Sequence, residues 1–171
     1  ALTRLNLSSF NTGKITNMSE MFRDCNSLSE LDVTSFNTAR VTNMNLMFAG
    51  CNSLTSLDVT GFNTARVISM NGMFSGCYAL TELDLSNFNT KKVTNIARMF
   101  YVCKSLKTIY CDDTWSCDVS TDMFSGCTAL KGAVAYDESK VDVSMANPKT
   151  GYFTYKTYAV EDGTTLTFYH D

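Results

Sequence analysis

One phrase recurs along this chain at a fixed interval. The pair Met-Phe returns every 26 residues, at Met21-Phe22, Met47-Phe48, Met73-Phe74 and Met99-Phe100. A constant period of about 20–50 residues indicates stacked units, each of which buries its apolar face only against its neighbours. We place the units at 2–27, 28–53, 54–79 and 80–105, followed by a degenerate unit at 106–129. The sequence therefore predicts a repeat array over residues 1–131.

Two hydrophobic periodicities predict the local structure of each unit. Leu31 and Val33 alternate with polar residues, which is the period of a half-buried strand. Later in the unit the apolar residues are spaced by three and four, as on one face of a short helix (Val41, Met44, Met47, Phe48, Cys51). Thr42 and Asn43 are suitable helix caps. We predict an α/β repeat, a leucine-rich-repeat solenoid with a parallel sheet on one face and short helices on the other.

The seven cysteines fall into two groups. Five occupy the same place in the unit, on its apolar face: Cys25, Cys51, Cys77, Cys103 and Cys127. We expect these to form a ladder of buried free thiols, because equivalent side chains of stacked units point in parallel. Cys111 and Cys117 lie outside the ladder, and we predict a disulfide between them, which suits an oxidising exterior. No metal site is predicted, since neighbouring units bring no histidine to the cysteines.

Polar residues on the outward face of the predicted strands are the candidates for ligand binding. They recur in columns that contain Asp32, Asp58 and Asp84, then Thr34 and Thr60, and finally Tyr110. Stacked carboxylates repel each other. The column is therefore either a cation site or polar groove for a sugar or protein, or each Asp simply bonds nearby backbone and hydroxyl groups. Tyr110, Trp115 and Tyr136 lie near the degenerate unit, and they predict either binding anchors or a cap over the core.

The corner after each Phe-Asn-Thr tripeptide carries three further columns. The first is basic, and it is either a solvated face or a rim for an acidic polymer or partner (Lys14, Arg40, Arg66, Lys92). The second is expected to be an internal amide ladder (Asn11, Asn37, Asn63, Asn89). The third would be a surface row of threonines, which raises ice binding as a remote hypothesis (Thr12, Thr38, Thr64, Thr90).

The unit phrase LxxLDxSxFNTxxVTNMxxMFxxCxSL resembles the repeat of BspA-like leucine-rich-repeat surface proteins, a 26-residue repeat group also found in mycoplasma lipoproteins. Residues 132–155, which end in Gly-Tyr-Phe-Thr, resemble the C-terminal cap segment of such arrays. Residues 156–171 resemble a segment that joins one array to the next, and Asp162-Gly163 predicts a β-hairpin there. The resemblance implies a bacterial protein, at the cell surface or secreted, that takes part in adhesion.

Composition and motifs argue against several classes of protein. A net charge of −3 gives no reason to expect nucleic acid as a partner. No apolar run approaches the roughly 20 residues that cross a bilayer. The single histidine, His170, and the lack of a glycine-rich phosphate loop argue against an enzyme and against a cofactor. We expect a monomeric fragment of a larger chain, a non-catalytic module that binds a host protein or glycan. The alternative is a rigid spacer that displays other modules.

Overall fold

Parallel pairing between successive repeats organises the fold. The computed structural model describes residues 2–161 and 166–170. One sheet pairs β1 (Arg4–Leu5) with β2 (Glu30–Leu31), and a second has the order β3 (Glu82–Asp84), β4 (Thr108–Tyr110), β5 (Phe153–Thr154). All of these pairings are parallel, and Arg4 lies opposite Glu30 just as Glu82 lies opposite Thr108. The predicted parallel sheet is therefore present as two short sheets.

The C-terminal part of the chain has a different character. A single 3₁₀ turn spans Val143–Met145, and Asp142 caps it by accepting a hydrogen bond from the Ser144 N–H. Strands β6 (Thr157–Glu161) and β7 (Leu166–His170) pair antiparallel. The Asp162-Gly163 turn predicted between them lies outside the described residues.

The predicted short helices are wrong. No α-helix occurs in residues 2–161, and the segments in question form a second ladder between repeats. In the second unit, alternate N–H groups donate to carbonyls of the third unit, for example Leu46 to Asn71 at 2.8 Å and Phe48 to Met73 at 2.9 Å. The N–H groups between them close turns inside the unit, as Met47 does to Met44 at 3.3 Å. Each backbone donor is thus satisfied either in its own unit or in the next.

Positive φ angles explain why this segment cannot be helical. Leu46 has φ 55° and Gly50 has φ 75°, each at the third position of a four-residue turn, as in a type II turn. The same two positions have positive φ in the neighbouring units: Glu20, Asp24, Gly72, Gly76, Arg98, Val102, Asp122 and Gly126. An α-helix requires negative φ throughout. Consecutive four-residue turns place apolar residues at the same spacing of three and four, so the sequence pattern fits both structures.

Equivalent side chains stack to form the core. Leu31, Val33, Met44 and Phe62 are all less than a tenth exposed, as predicted. Phenyl rings of the Met-Phe pairs lie 5.4–5.8 Å apart between centroids (Phe22, Phe48, Phe74, Phe100, Phe124). Phe10 differs from the equivalent rings in being 56% exposed.

The repeated cysteines are buried free thiols, apart from the half-buried Cys25, and this confirms the predicted ladder. Each buried thiol donates to the carbonyl of a phenylalanine in the preceding unit, at 3.2 Å from Cys77 Sγ to Phe48 O and 2.9 Å from Cys127 Sγ to Phe100 O. Burial raises the pKa of Cys77 to about 12. The cysteines therefore serve packing and also satisfy a backbone carbonyl between repeats.

The Phe-Asn-Thr corner reverses the predicted roles of its polar residues. Thr38 is 1% exposed, and its hydroxyl accepts from the Asn63 N–H at 2.7 Å and donates to the Asn63 carbonyl at 3.1 Å. Asn37 is exposed instead, and its Oδ1 accepts from the Ala39 N–H at 3.1 Å. The internal ladder is made by threonine because its short hydroxyl can both donate and accept. This burial removes the surface row on which ice binding rested.

Residues 132–155 cover the last repeat. Tyr152 and Phe153 are fully buried, and both rings meet Phe124 edge to face, with centroids 5.3 and 6.3 Å from it. The single proton of the Tyr152 hydroxyl is shared between the carbonyl oxygens of Asp137 and Lys140, which lie 3.1 and 3.0 Å from the hydroxyl oxygen. An aromatic pair thus closes the stack of rings at this end.

Replacing Gly76 with alanine tests the turn geometry. Gly76 has φ 73°, and an added Cβ would meet no atom closer than 3.6 Å, so the cost is conformational and not steric. We expect the free energy of unfolding to fall by about 1–2 kcal/mol. Gly61→Ala is the control, because Gly61 lacks a positive φ and a Cβ added there would lie 3.8 Å from its nearest neighbour, the Thr34 carbonyl oxygen. Urea unfolding of both variants measures the difference, and an equal effect would contradict the turn assignment.

Thiol alkylation tests the cysteine ladder. At about pH 8 we expect iodoacetamide to modify Cys25 and Cys117, which are half-buried, and to leave the five buried thiols unmodified. The physical reason is that burial holds the reactive thiolate form out of reach, since it raises the pKa of Cys51 and Cys77 to about 12. Mass spectrometry before and after denaturation counts the modified residues. Rapid modification of all seven in the native protein would show that the ladder is wrong.

Candidate functional site

A cleft opens on the strand face where the pairing between repeats is interrupted. The backbone of residues 55–58 makes no hydrogen bond to either neighbouring repeat within the described part of the chain. This gap separates the β1–β2 sheet from the β3–β4–β5 sheet. A cleft with a volume of about 660 Å³ lies beside this gap, and it is lined by Ser56, Leu57, Asp58, Thr60, Glu82, Asp84, Tyr110 and residues 154–157.

Half of the predicted binding residues meet in this cleft. Asp58 and Thr60 come from the third unit, Asp84 from β3 and Tyr110 from β4. Asp84 and Tyr110 face each other directly across the parallel β3–β4 pair. Asp32 and Thr34 lie three units away from β4 on the exposed face of the second unit, and neither lines the cleft.

The segment after β5 forms the other wall of the cleft. Lys156 donates from its Nζ to Asp84 Oδ2 at 2.5 Å and from its backbone N–H to Asp112 Oδ1 at 2.8 Å. Burial alone would raise the pKa of Asp84, but the hydrogen bonds from Lys156 and Ser86 outweigh it and leave the pKa below its usual value. Asp84 is therefore ionised and fixed in place. The columns of the repeat give no signal for Lys156 or Tyr155, because both lie beyond the repeats.

Each aspartate of the column also holds a turn. Asp58 Oδ1 accepts from the Thr60 N–H at 2.9 Å and from the Thr60 hydroxyl at 2.7 Å, and Asp32 does the same with Thr34. The aspartates therefore do bond nearby backbone and hydroxyl groups, and a second role in binding stays a prediction. These bonds use Oδ1, so the second carboxylate oxygen of Asp58 faces solvent without a partner within the described residues.

Trp115 and Tyr136 do not belong to this cleft. Trp115 is 3% exposed, and it stacks on Phe88 and meets Phe153 edge to face at 5.0 Å. Tyr136 is half-buried against Tyr152, and its hydroxyl accepts from the Gly126 N–H at 3.0 Å. The prediction of Trp115 as a surface binding residue is wrong. Of the two roles predicted for these aromatics, the structure favours covering the core.

The predicted Cys111–Cys117 disulfide is absent, and both thiols are free. Cys111 is fully buried, whereas the half-buried Cys117 lies near the carbonyls of Val93 and Val119, at 3.5 and 3.6 Å. Trp115 is buried between these two positions in the sequence, and its backbone N–H donates to the Ala146 carbonyl at 2.9 Å. The two thiols therefore contact different groups, Cys111 the Asp113 carbonyl and Cys117 the carbonyls of Val93 and Val119.

The described residues contain no group of three or more His, Cys, Asp or Glu side chains that could hold a metal ion. In the same part of the chain, no helix has both the length and the apolar character needed to cross a membrane. The cleft itself offers carboxylates, hydroxyls, two tyrosine rings and one ammonium group, all suited to holding a polar ligand.

Comparisons with known proteins place this chain in a family. Residues 3–59 and 29–137 match the family described as "Mycoplasma protein of unknown function, DUF285". Among solved structures, the leucine-rich repeat protein of T. pallidum is similar, with a TM-score of 0.40 and 18% identity over 68% of this chain and 61% of that one. The chain thus spans less than two thirds of that protein. The comparison with curated proteins finds no match. The family match covers most of the chain, which therefore belongs to this mycoplasma family.

Proposed function

We propose that this chain is a non-catalytic binding module of a microbial surface protein, and that its strand-face cleft recognises a host glycan or protein. The observation that carries the proposal is the cleft of about 660 Å³ at the break in strand pairing. A regular array with only a structural role would not require an interruption of the strand pairing. The family supports a binding or structural role in general, and adhesion is our more specific proposal.

The lining of the cleft fits a polar ligand with flat apolar faces, as a sugar has. Tyr110 and Tyr155 present aromatic rings, which stack on sugar rings and also anchor protein interfaces. Glu82 is exposed beside the fixed Asp84–Lys156 pair. Because Asp84 is already held in position, its carboxylate can accept hydrogen bonds from ligand hydroxyl or amino groups with little further loss of conformational entropy.

A rigid spacer is the second candidate, and the regularity of the repeat favours it. The Asp-Thr turns recur unchanged in the second and third units, and the chain continues the same inter-repeat ladder through five units. In this proposal the stacked units form a continuous solenoid whose exposed columns serve its turns. A spacer would bind nothing, so the two functions are separated by one binding experiment.

Asp58→Ala tests the binding function, and Asp32→Ala is its matched control. Both aspartates hold the same turn with a threonine, so both variants carry the same structural cost, but only Asp58 lines the cleft. The wild-type protein is first applied to an array of host glycans and extracellular matrix proteins. For a ligand found there, we expect Asp58→Ala to weaken binding about tenfold or more, since a hydrogen bond to a charged group contributes about 1.5–3 kcal/mol.

The control variant should bind as the wild type does. Equal loss in both variants would trace the effect to the turn and contradict the cleft as the site. A folded wild-type protein that binds nothing on the array would favour the spacer.

A further inference from the structure

Four basic side chains project from equivalent turns along one edge of the array, which we call the basic edge: Lys14, Arg40, Arg66 and Lys92. Each basic residue takes the third position of a four-residue turn. The turn is closed by a backbone hydrogen bond of 2.9 Å to a threonine carbonyl, as from Val41 to Thr38 and from Val67 to Thr64. The edge thus carries one positive charge per unit, at the same place in four successive units.

The base of each turn is held firmly. Thr64 is buried, and its hydroxyl bonds both the N–H and the carbonyl of Asn89 in the next unit, at 2.7 and 3.1 Å. Asn63 Oδ1 accepts from the Ala65 N–H directly before Arg66. Adjacent parallel segments lie about 4.7–4.9 Å apart. The four basic side chains therefore leave the protein from equivalent, firmly held turns, in a row whose spacing follows that of the stacked units.

The charges of the basic edge are not neutralised by the protein. Ion pairs form elsewhere, at Arg4, Arg23, Arg98, Lys140 and Lys156, but within the described part of the chain no carboxylate lies within 4 Å of a basic-edge side chain. Like charges at this spacing repel each other. A partner that places negative charges along the row would remove that repulsion.

We propose that the basic edge binds a linear anionic polysaccharide, with sulfate or carboxylate groups along the polymer bridging successive units of the array. A regular row fits a polymer whose charges also repeat regularly along an extended chain. The neighbouring asparagines strengthen the match, because Asn37 and Asn63 are exposed and keep their amide N–H groups free of hydrogen bonds in the described residues. These groups can donate to sugar hydroxyls.

The chemistry of the edge favours a polysaccharide over single-stranded nucleic acid. Proteins bind single strands by stacking bases on exposed aromatic rings. Three of the four phenylalanines that precede the edge turns are covered, with Phe36, Phe62 and Phe88 at most 4% exposed. Phe10 is 56% exposed, but a single ring at one end of the row offers no stack for successive bases. The net charge of −3 also argues against general attraction of nucleic acids, so the attraction is local to this row.

The basic edge ends in a second cleft of about 630 Å³. Lys91 and Lys92 line it, together with the hydroxyls of Ser116 and Ser120. Asp118 and Asp142 line it as well, and they would repel an anionic polymer. The binding row therefore runs through the first four units and stops at the degenerate fifth. This surface shares no residue with the strand-face cleft, so the inference is independent of the function proposed above.

The test compares two double variants that remove the same charge. Arg40→Ala/Arg66→Ala removes the centre of the basic edge, and Lys107→Ala/Lys131→Ala removes two exposed charges outside it. Binding of a size-defined heparin fragment is measured by calorimetry at several salt concentrations. We expect the edge variant to raise Kd at least tenfold and to lower the slope of log K against log salt by about one per lost contact. The control variant should keep the wild-type Kd.

Three results would overturn the proposal. Equal weakening in both double variants would show nonspecific attraction, and the absence of heparin binding by the folded wild-type protein would show that the row has no such partner. Tighter binding of single-stranded DNA with the same number of charges would assign the edge to nucleic acid. Asp58→Ala should not weaken heparin binding, which separates this surface from the strand-face cleft.

Discussion

Backbone hydrogen bonds that join each repeat to the next set the conformation of the whole array. In the segment of consecutive turns that forms the turn ladder (residues 44–51 in the second unit), every second backbone N–H donates to a carbonyl of the next unit. This arrangement requires the chain to make two turns within eight residues. Positive φ at two positions in each unit is the conformational consequence, at a glycine in some units and at Leu46, Arg98 or even the β-branched Val102 in others. This backbone strain costs less free energy than leaving the buried N–H groups without a hydrogen-bond partner.

Side-chain hydrogen bonds also join neighbouring repeats, and they do so in both directions along the array. Each buried thiol of the repeated cysteines donates to a phenylalanine carbonyl in the preceding unit, while the buried threonines Thr12, Thr38 and Thr64 bond both backbone groups of an asparagine in the next. Such bonds contribute about 1 kcal/mol each, and they recur in successive units. Stability is therefore close to a sum over neighbouring pairs of repeats. This accounts for the near identity of the units at buried positions.

Departures from the repeat mark the places where function is proposed. The cleft lies beside the break in strand pairing at 55–58, and Lys156 reaches across from a segment beyond the array to bind Asp84. The degenerate fifth unit replaces a repeated phenylalanine with Trp115, which packs against both Phe88 and Phe153. The strand break is therefore associated with the candidate binding cleft, whereas Trp115 covers the end of the core. The basic edge is regular by contrast, which suits a partner that is itself a repeating polymer.

Side-chain spacing alone could not decide the turn ladder. Residues three and four apart share a face in an α-helix and also in consecutive four-residue turns, so Met44, Met47 and Cys51 were correctly assigned to the core and wrongly to a helix. The Phe-Asn-Thr corner presented a similar ambiguity, since both Asn and Thr can bond a backbone. The threonine takes the interior position because its hydroxyl oxygen lies within hydrogen-bonding distance of both backbone groups of the asparagine in the next unit.

The period, the inward positions and the buried thiols can be predicted from the sequence, because each depends on contacts that recur at 26-residue separation. The strand break, the burial of Trp115 and the pairing of Lys156 with Asp84, residues that lie 72 positions apart, became visible only in the folded chain. A repeat specifies the contacts of a unit with an identical neighbour. It carries no information about contacts with a segment that follows a different pattern.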